Sequence, residues 1–153
     1  MIDKEIIQLK PECFQQCSAI WDMKKQKRLA EKFYKELVTG NRRTFVSIKD
    51  SAYIGEISLV FDMNDADYTI RDRRVYLSRL IVKEAFRNQG IGGMLVDFLI
   101  DYARDLGYQE LTVGVDLDNS IAIKLYMQKG FTHILYKGED AYGAYQKLLK
   151  KLY

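Results

Sequence analysis

Histidine, cysteine and proline are scarce in this sequence: its 153 residues include one His, two Cys and one Pro. A structural zinc site needs a full set of Cys or His ligands, which His133, Cys13 and Cys17 cannot supply. A Ser-His-Asp or Cys-His relay would depend on His133 alone. The scarcity therefore predicts a chemistry that uses neither a metal nor histidine.

Long apolar runs are absent as well. No stretch approaches the roughly 18 apolar residues of a membrane-spanning helix, and residues 1–10 lack the apolar core of a signal peptide. The two cysteines do not make the framework of a disulfide-rich secreted protein. We therefore expect a soluble, cytoplasmic protein without a membrane partner.

Charges of the two signs nearly balance, with 24 Lys and Arg against 21 Asp and Glu and a net charge of +3. This balance predicts no nucleic-acid partner. A basic cluster, Lys24-Lys25-Gln26-Lys27-Arg28, begins a predicted helix and is typical of a solvated face. A nucleic-acid-binding module that uses this cluster stays an alternative, and it predicts binding that falls steeply with salt.

Hydrophobic periodicity predicts a single α/β domain over residues 1–153. Strands are predicted at 2–9, 44–48, 52–61, 75–82, 110–115 and 131–137 and from 144, and helices at 11–23, 24–38, 90–107 and 120–129. The helix at 90–107 has the strongest pattern, and with its two neighbouring strands it forms a βαβ unit. The tail from Ala144, with its Lys-Leu-Leu-Lys-Lys run, is also compatible with a helix.

A glycine cluster lies between strand 75–82 and the strongest helix. It reads Arg87-Asn88-Gln89-Gly90-Ile91-Gly92-Gly93. A helix start has unpaired N–H groups and the positive end of the helix dipole, and glycine lets an anion approach them. The cluster is neither a Rossmann fingerprint, since Leu95 replaces the third glycine, nor a Gly-Lys-Ser/Thr phosphate loop. It indicates a phosphate cradle, with a simple tight turn as the alternative.

A second motif follows strand 110–115. Asn119 or Ser120 suits the N-cap of a short helix, and Ala122, Leu125 and Tyr126 share one face of it. Taken alone, this motif is explained by a capped amphipathic helix with a tyrosine in the core.

The two motifs together, at this spacing, resemble the GNAT superfamily of N-acetyltransferases. The resemblance is specific over residues 75–131, whereas residues 1–74 match only in layout. It implies a three-layer α/β fold with a central mixed sheet of about seven strands, flanked by about four helices. Strands 75–82 and 110–115 would be parallel and splayed to hold acetyl-CoA.

The resemblance also implies roles for particular residues. Tyr126 would lie near the sulfur of coenzyme A as the general acid. The implied cofactor-binding residues are Leu80, Ile81 and Val82 beside the pantetheine arm, Arg87, Asn88, Gln89, Gly90, Ile91, Gly92 and Gly93 around the pyrophosphate, and Asn119, Ala122 and Tyr126. Gly93 stands where many members have Ser or Thr, so one side-chain contact to phosphate is missing.

Acetyl transfer to an amine makes two proton demands. A tyrosine of pKa near ~10 can protonate a thiolate of pKa ~8.5 at a cost of about 2 kcal/mol, whereas deprotonating an amine at pH 7 costs roughly 4.6 kcal/mol. With one histidine in the chain, the base should be a carboxylate or phenol that acts through water. The candidates are Glu56, Asp116 and Tyr76, and Tyr76 stands where some members have glutamate. For Glu56, the alternative is an exposed strand residue.

The acceptor amine is the least determined part. The loop from Asp62 to Tyr68 carries three carboxylates, which as an acidic patch would suit a cationic amine such as a polyamine or aminoglycoside, whereas a solvated loop is the alternative. A peptide amine stays open. No cysteine lies in the motif region, which favours direct attack in a ternary complex. A non-catalytic acyl-CoA sensor is the competing function, and the oligomeric state is open, with a homodimer as one option.

Overall fold

The computed structural model describes residues 5–153, and its elements follow the predicted order. The strands are β1 (Glu5–Gln8), β2 (Arg42–Lys49), β3 (Ala52–Val60), β4 (Arg74–Val82), β5 (Glu110–Asp116), β6 (His133–Asp140) and β7 (Gly143–Lys151). The helices are a 3₁₀ helix (Pro11–Ala19), α1 (Lys27–Thr39), a short 3₁₀ helix (Glu84–Phe86), α2 (Ile91–Asp105) and α3 (Ser120–Gln128). Residues 2–4 of the predicted first strand lie outside the described residues.

The seven strands form one mixed sheet in the order β1-β2-β3-β4-β5-β7-β6. The pairs β1–β2, β2–β3, β5–β7 and β6–β7 are antiparallel, and β4–β5 is parallel, as predicted. The helical alternative for the tail is wrong. In β7, Leu148 and Leu149 are buried, and the strand pairs on both sides, so sheet pairing overrides the local pattern.

The described residues divide into two compact units. One contains the chain to Val60 together with Ser78–Val96, and the other contains Phe61–Leu77 and Asp97–Tyr153. β4 and α2 therefore each contribute residues to both units. The prediction of a single domain over 1–153 stays a prediction.

The core of the first unit lies where the longer 3₁₀ helix and α1 meet the strands. Its buried residues are Leu9, Phe14, Cys17, Trp21, Met23, Phe33, Leu37, Val46 and Tyr53. Phe33 and Leu37, four residues apart, share the buried face of α1. The helix ends at Gly40, whose φ of +84° is the left-handed conformation that glycine adopts without steric cost.

In the second unit, charged side chains join β4 to β5. Glu110 Oε1 accepts hydrogen bonds from Arg73 Nε and Arg74 Nε, each at 3.1 Å. The parallel ladder comprises three residue pairs, from Arg74–Glu110 to Tyr76–Thr112. The splay of these two strands beyond the ladder stays a prediction.

A two-residue turn, Asp50-Ser51, joins β2 to β3, and the ladder closes on Lys49 and Ala52. Both turn residues have left-handed backbones, with φ of +50° and +66°. Such a turn matches the twist of the two strands of a hairpin. A left-handed backbone is strained, however, in a residue that has a Cβ.

We expect Ser51→Gly to raise the free energy of unfolding by about 0.5–1 kcal/mol, because removing the strain outweighs the entropy that glycine adds to the unfolded chain. Urea denaturation measures the change. Ser51→Ala keeps a Cβ and serves as the control. Equal urea midpoints for Ser51→Gly and Ser51→Ala would show that the backbone of Ser51 is not strained.

Candidate functional site

The glycine cluster forms a turn at the start of α2. Asn88 and Gly90 have left-handed backbones, with φ of +64° and +79°. Arg87 Nε donates to the carbonyl of Val82 at 3.0 Å, which ties the turn to β4. The hydrogen bond from Met94 N–H to the carbonyl of Gly90, at 3.0 Å, belongs to the first turn of α2, so the N–H groups just before it lack helical partners.

Exposure makes these donors accessible. Residues 87–90 are exposed, and Gly92 and Gly93 are half-buried. The turn presents backbone N–H groups and the guanidinium of Arg87, all of which are hydrogen-bond donors. This chemistry fits a phosphate or diphosphate, as the cluster predicts.

The end of β4 that leads into this turn departs from regular strand geometry. Arg79 has a φ of +60°, and Leu80, Ile81 and Val82 after it are half-buried. Lys83 N–H donates to the carbonyl of Ile54 in β3 at 2.8 Å. The irregularity at Arg79 has no signal in the sequence.

Glu56 is buried in β3, with 2% of its surface exposed, so its interpretation as an exposed strand residue is wrong. The indole N–H of Trp21 donates to Glu56 Oε1 at 2.6 Å. Burial raises the pKa of Glu56 from its ordinary 4.5 to about 7. The Trp21 hydrogen bond and the charges of Arg79 and Arg42 oppose this rise without cancelling it.

Three side chains that the sequence analysis missed surround this carboxylate. The guanidinium of Arg79 lies over the Trp21 ring, with Cζ 4.3 Å from the centroid, and that of Arg42 lies over Phe33 at 3.8 Å. The Cys17 thiol is hydrogen-bonded to Glu56, and burial raises the pKa of this thiol, which keeps it protonated. These residues come from distant segments, so no local pattern could have grouped them.

In the second unit, Tyr126 is buried on α3 and packs edge-to-face on Phe131, with ring centroids 5.7 Å apart. Burial raises the pKa of Tyr126 above its ordinary value of 10, and Tyr76 raises it further. Tyr76 is half-buried against Tyr68, with centroids 4.5 Å apart. Tyr126 is therefore fully protonated at neutral pH and can act as a hydrogen-bond donor.

Asn119 caps α3, as predicted, because its Oδ1 accepts the N–H of Ala122 at 3.1 Å. Asn119 is exposed and Ala122 half-buried. Asp116, at the end of β5, is exposed and lacks the burial that surrounds Glu56. Of the candidate bases that carry a carboxylate, Glu56 thus has the environment that favours a proton acceptor.

The predicted acidic patch is largely neutralised. Lys147 Nζ in β7 binds Asp65 Oδ2 at 2.9 Å and Asp67 Oδ2 at 3.0 Å. The same ammonium lies over the rings of Tyr68 and Tyr136. Asp65 and Asp67 are therefore paired within the protein, and the expectation of an open acidic patch is wrong for them.

Among residues 5–153, no group of three or more His, Cys, Asp or Glu side chains is arranged to hold a metal ion. None of the helices in the same range combines the length and apolar composition that crossing a membrane requires.

A family model described as the acetyltransferase (GNAT) family matches residues 4–131, which is most of the chain. The chain belongs to the GNAT acetyltransferase family. This GNAT protein is 37% identical to N-acetyltransferase 8 from Homo sapiens over 65 residues, which are 42% of this chain and 29% of that protein. The match thus spans less than a third of the relative's length.

Solved GNAT structures share the fold of this chain. The aminoglycoside 6'-acetyltransferase type Ii has a TM-score of 0.76, with 19% identity and 97% of each chain covered. The PaiA N-acetyltransferase from Thermoplasma acidophilum, solved with coenzyme A, has a TM-score of 0.72 and 20% identity, and covers 98% of this chain and 99% of that one.

The burial of Glu56 predicts a pH-dependent stability. Because the folded protein holds the Glu56 proton up to a pKa of about 7 and the unfolded chain releases it near 4.5, Glu56 stabilises the fold below pH 4.5. As pH rises from 4.5 through 7, this contribution of about 3 kcal/mol is lost.

We expect Glu56→Gln to remove this loss, so that stability measured by urea denaturation falls less between pH 5 and pH 8 than in the parent protein. Glu139→Gln, at an exposed position in β6, is the matched control and should follow the parent. Parallel pH profiles for the parent and Glu56→Gln would contradict the raised pKa.

Proposed function

We propose that this GNAT protein is an N-acetyltransferase that transfers the acetyl group of acetyl-CoA to a primary amine by direct attack in a ternary complex. The observation that carries the proposal is Glu56, a buried carboxylate with a pKa of about 7. This value suits a group that must be ionised and yet accept a proton near neutral pH. Membership of the family adds support.

The residues present fit coenzyme A. The N–H groups of Gln89 to Gly93 and the guanidinium of Arg87 would bind the pyrophosphate, since they are donors at a helix start. The backbone of Leu80 and Val82 would bind the pantetheine arm. Bound acetyl-CoA would supply an acetyl group activated as a thioester. The coenzyme A complex of the Thermoplasma acidophilum protein, which has the same fold, supports this assignment.

Glu56 would take the proton of the acceptor ammonium, directly or through a water molecule. A carboxylate with a pKa of about 7 holds the proton about 3 kcal/mol more tightly than one at 4.5. This difference lowers the cost of taking the proton from an alkyl ammonium of pKa ~10.4 from about 8 kcal/mol to about 4.6 kcal/mol. The buried environment of Glu56 is thus what makes it an effective base.

Tyr126 would donate a hydrogen bond to the sulfur of coenzyme A as negative charge develops there. Because its pKa is raised, complete transfer of its proton to a thiolate costs more than the ~2 kcal/mol of an ordinary tyrosine. Its contribution is therefore stabilisation of the leaving sulfur, with Tyr76 as a neighbouring phenol.

We expect Tyr126→Phe to lower kcat by about 10–100-fold, because the donor to the sulfur is lost, while the Kd of coenzyme A stays unchanged. Release of free thiol from acetyl-CoA measures kcat, and calorimetry measures the Kd. Tyr142→Phe, at a position 92% exposed, is the matched control. Normal turnover by Tyr126→Phe would remove this tyrosine from the mechanism.

In the parent protein, kcat/KM should rise with pH through an inflection near 7, because Glu56 must be ionised to accept a proton. We expect Glu56→Gln to lose this inflection and to lower kcat/KM by about 100-fold or more. Glu139→Gln should keep the parent profile. An unchanged inflection in Glu56→Gln would assign the base to another group.

The sensor alternative is decided by the same assay. If coenzyme A binds but no amine of a broad panel releases thiol from acetyl-CoA, the protein is a binding module and the proposed transfer is wrong.

A further inference from the structure

Arg79 occupies an unusual position in the first unit. It interrupts β4 with a left-handed backbone, at a φ of +60°, which a residue with a Cβ adopts only at a cost of about 1–2 kcal/mol. Its guanidinium is half-buried and stacks on Trp21, with Phe33 at 6.0 Å from Cζ. The fold thus holds one cation in a fixed place at the expense of local strain.

The hydrogen bonds of this guanidinium are incomplete. Arg79 Nη2 donates to Oε1 of the exposed Gln26 at 3.1 Å. Arg79 Nε is buried and has no hydrogen-bond partner among residues 5–153. A buried donor without a partner costs about 1–3 kcal/mol. The Nε–Nη2 edge is one that a carboxylate binds with two parallel hydrogen bonds.

Trp21 connects this edge to the proposed base. Its indole N–H contacts Glu56 at 2.6 Å, and its ring face lies 4.3 Å from Arg79 Cζ. A single indole therefore separates the group that would accept the amine proton from the guanidinium.

The charges nearby favour an anionic group over a second cation. Arg42, paired with Glu36 at 3.2 Å, is a further guanidinium that acts on Glu56.

We infer that Arg79 is a specificity-determining residue that binds a carboxylate of the acceptor through its Nε–Nη2 edge, displacing the Gln26 side chain. The acceptor class is then an amine that carries a carboxylate a few bonds away, as in a free amino acid. This inference rests on the proposed acetyl transfer. It differs from the expectation of a polyamine or aminoglycoside acceptor, because neither carries a carboxylate for this edge.

The test compares leucine, phenylalanine and methionine with their carboxamides in the thiol-release assay. The amide of each pair has the less basic amine, so without recognition of the carboxylate it would react faster. We expect the parent protein to favour the acids by at least tenfold in kcat/KM. Arg79→Gln should lower this acid-to-amide ratio by at least tenfold, mainly through the KM of the acid.

Two further variants separate recognition from a structural role. Gln26→Glu places a carboxylate of the protein against Arg79, so it should also lower the acid-to-amide ratio. Arg71→Gln removes an exposed arginine and should keep the parent ratio. If Arg79→Gln weakens acids and amides equally, Arg79 is structural and the inference is wrong.

The remaining outcomes are distinct. Acetylation of amines with an acid-to-amide ratio of one or less overturns the inference and leaves the proposed function in place. If coenzyme A binds but none of these acids, their amides or simple amines is acetylated, both the inference on Arg79 and the proposed acetyl transfer are wrong.

Discussion

The hydrogen bond between Trp21 and Glu56 is the contact on which the proposed chemistry depends. It allows a carboxylate to lie inside an apolar core, because the indole N–H compensates part of the solvation that burial removes. The compensation is partial, so the pKa stays near 7. A stronger partner, such as a direct ion pair with arginine, would return the carboxyl group to ordinary acidity and remove its value as a base.

Arg79 and Arg42 are near enough to act on Glu56, yet each is directed elsewhere. Arg79 stacks on Trp21 and Arg42 on Phe33, and Arg42 pairs with Glu36. The aromatic rings therefore position two cations without neutralising the carboxylate. In the second unit, Lys147 does the opposite and pairs directly with Asp65 and Asp67. The direct pairs neutralise a loop, whereas the stacked arginines leave Glu56 with a raised pKa and thus able to accept a proton near neutral pH.

Features that depend on neighbouring residues could be predicted from the sequence. The cap at Asn119, the glycine turn before α2 and the end of α1 at Gly40 follow from short-range backbone chemistry. The order of strands and helices follows from hydrophobic periodicity for the same reason. Pairing in the sheet is a long-range property, and the tail from Ala144 shows this, since its strand exists through pairing with β5 and β6.

The GNAT motifs, the donor-rich turn and the tyrosine on α3 follow from the order of residues along the chain. Which charges are available depends on the fold. Glu56 meets Trp21, 35 residues away, and Lys147 meets Asp65, 82 residues away, so sequence alone could not show that one carboxylate is buried and the other paired. Burial and ion pairing set a group's proton affinity, and both depend on neighbours that folding brings together.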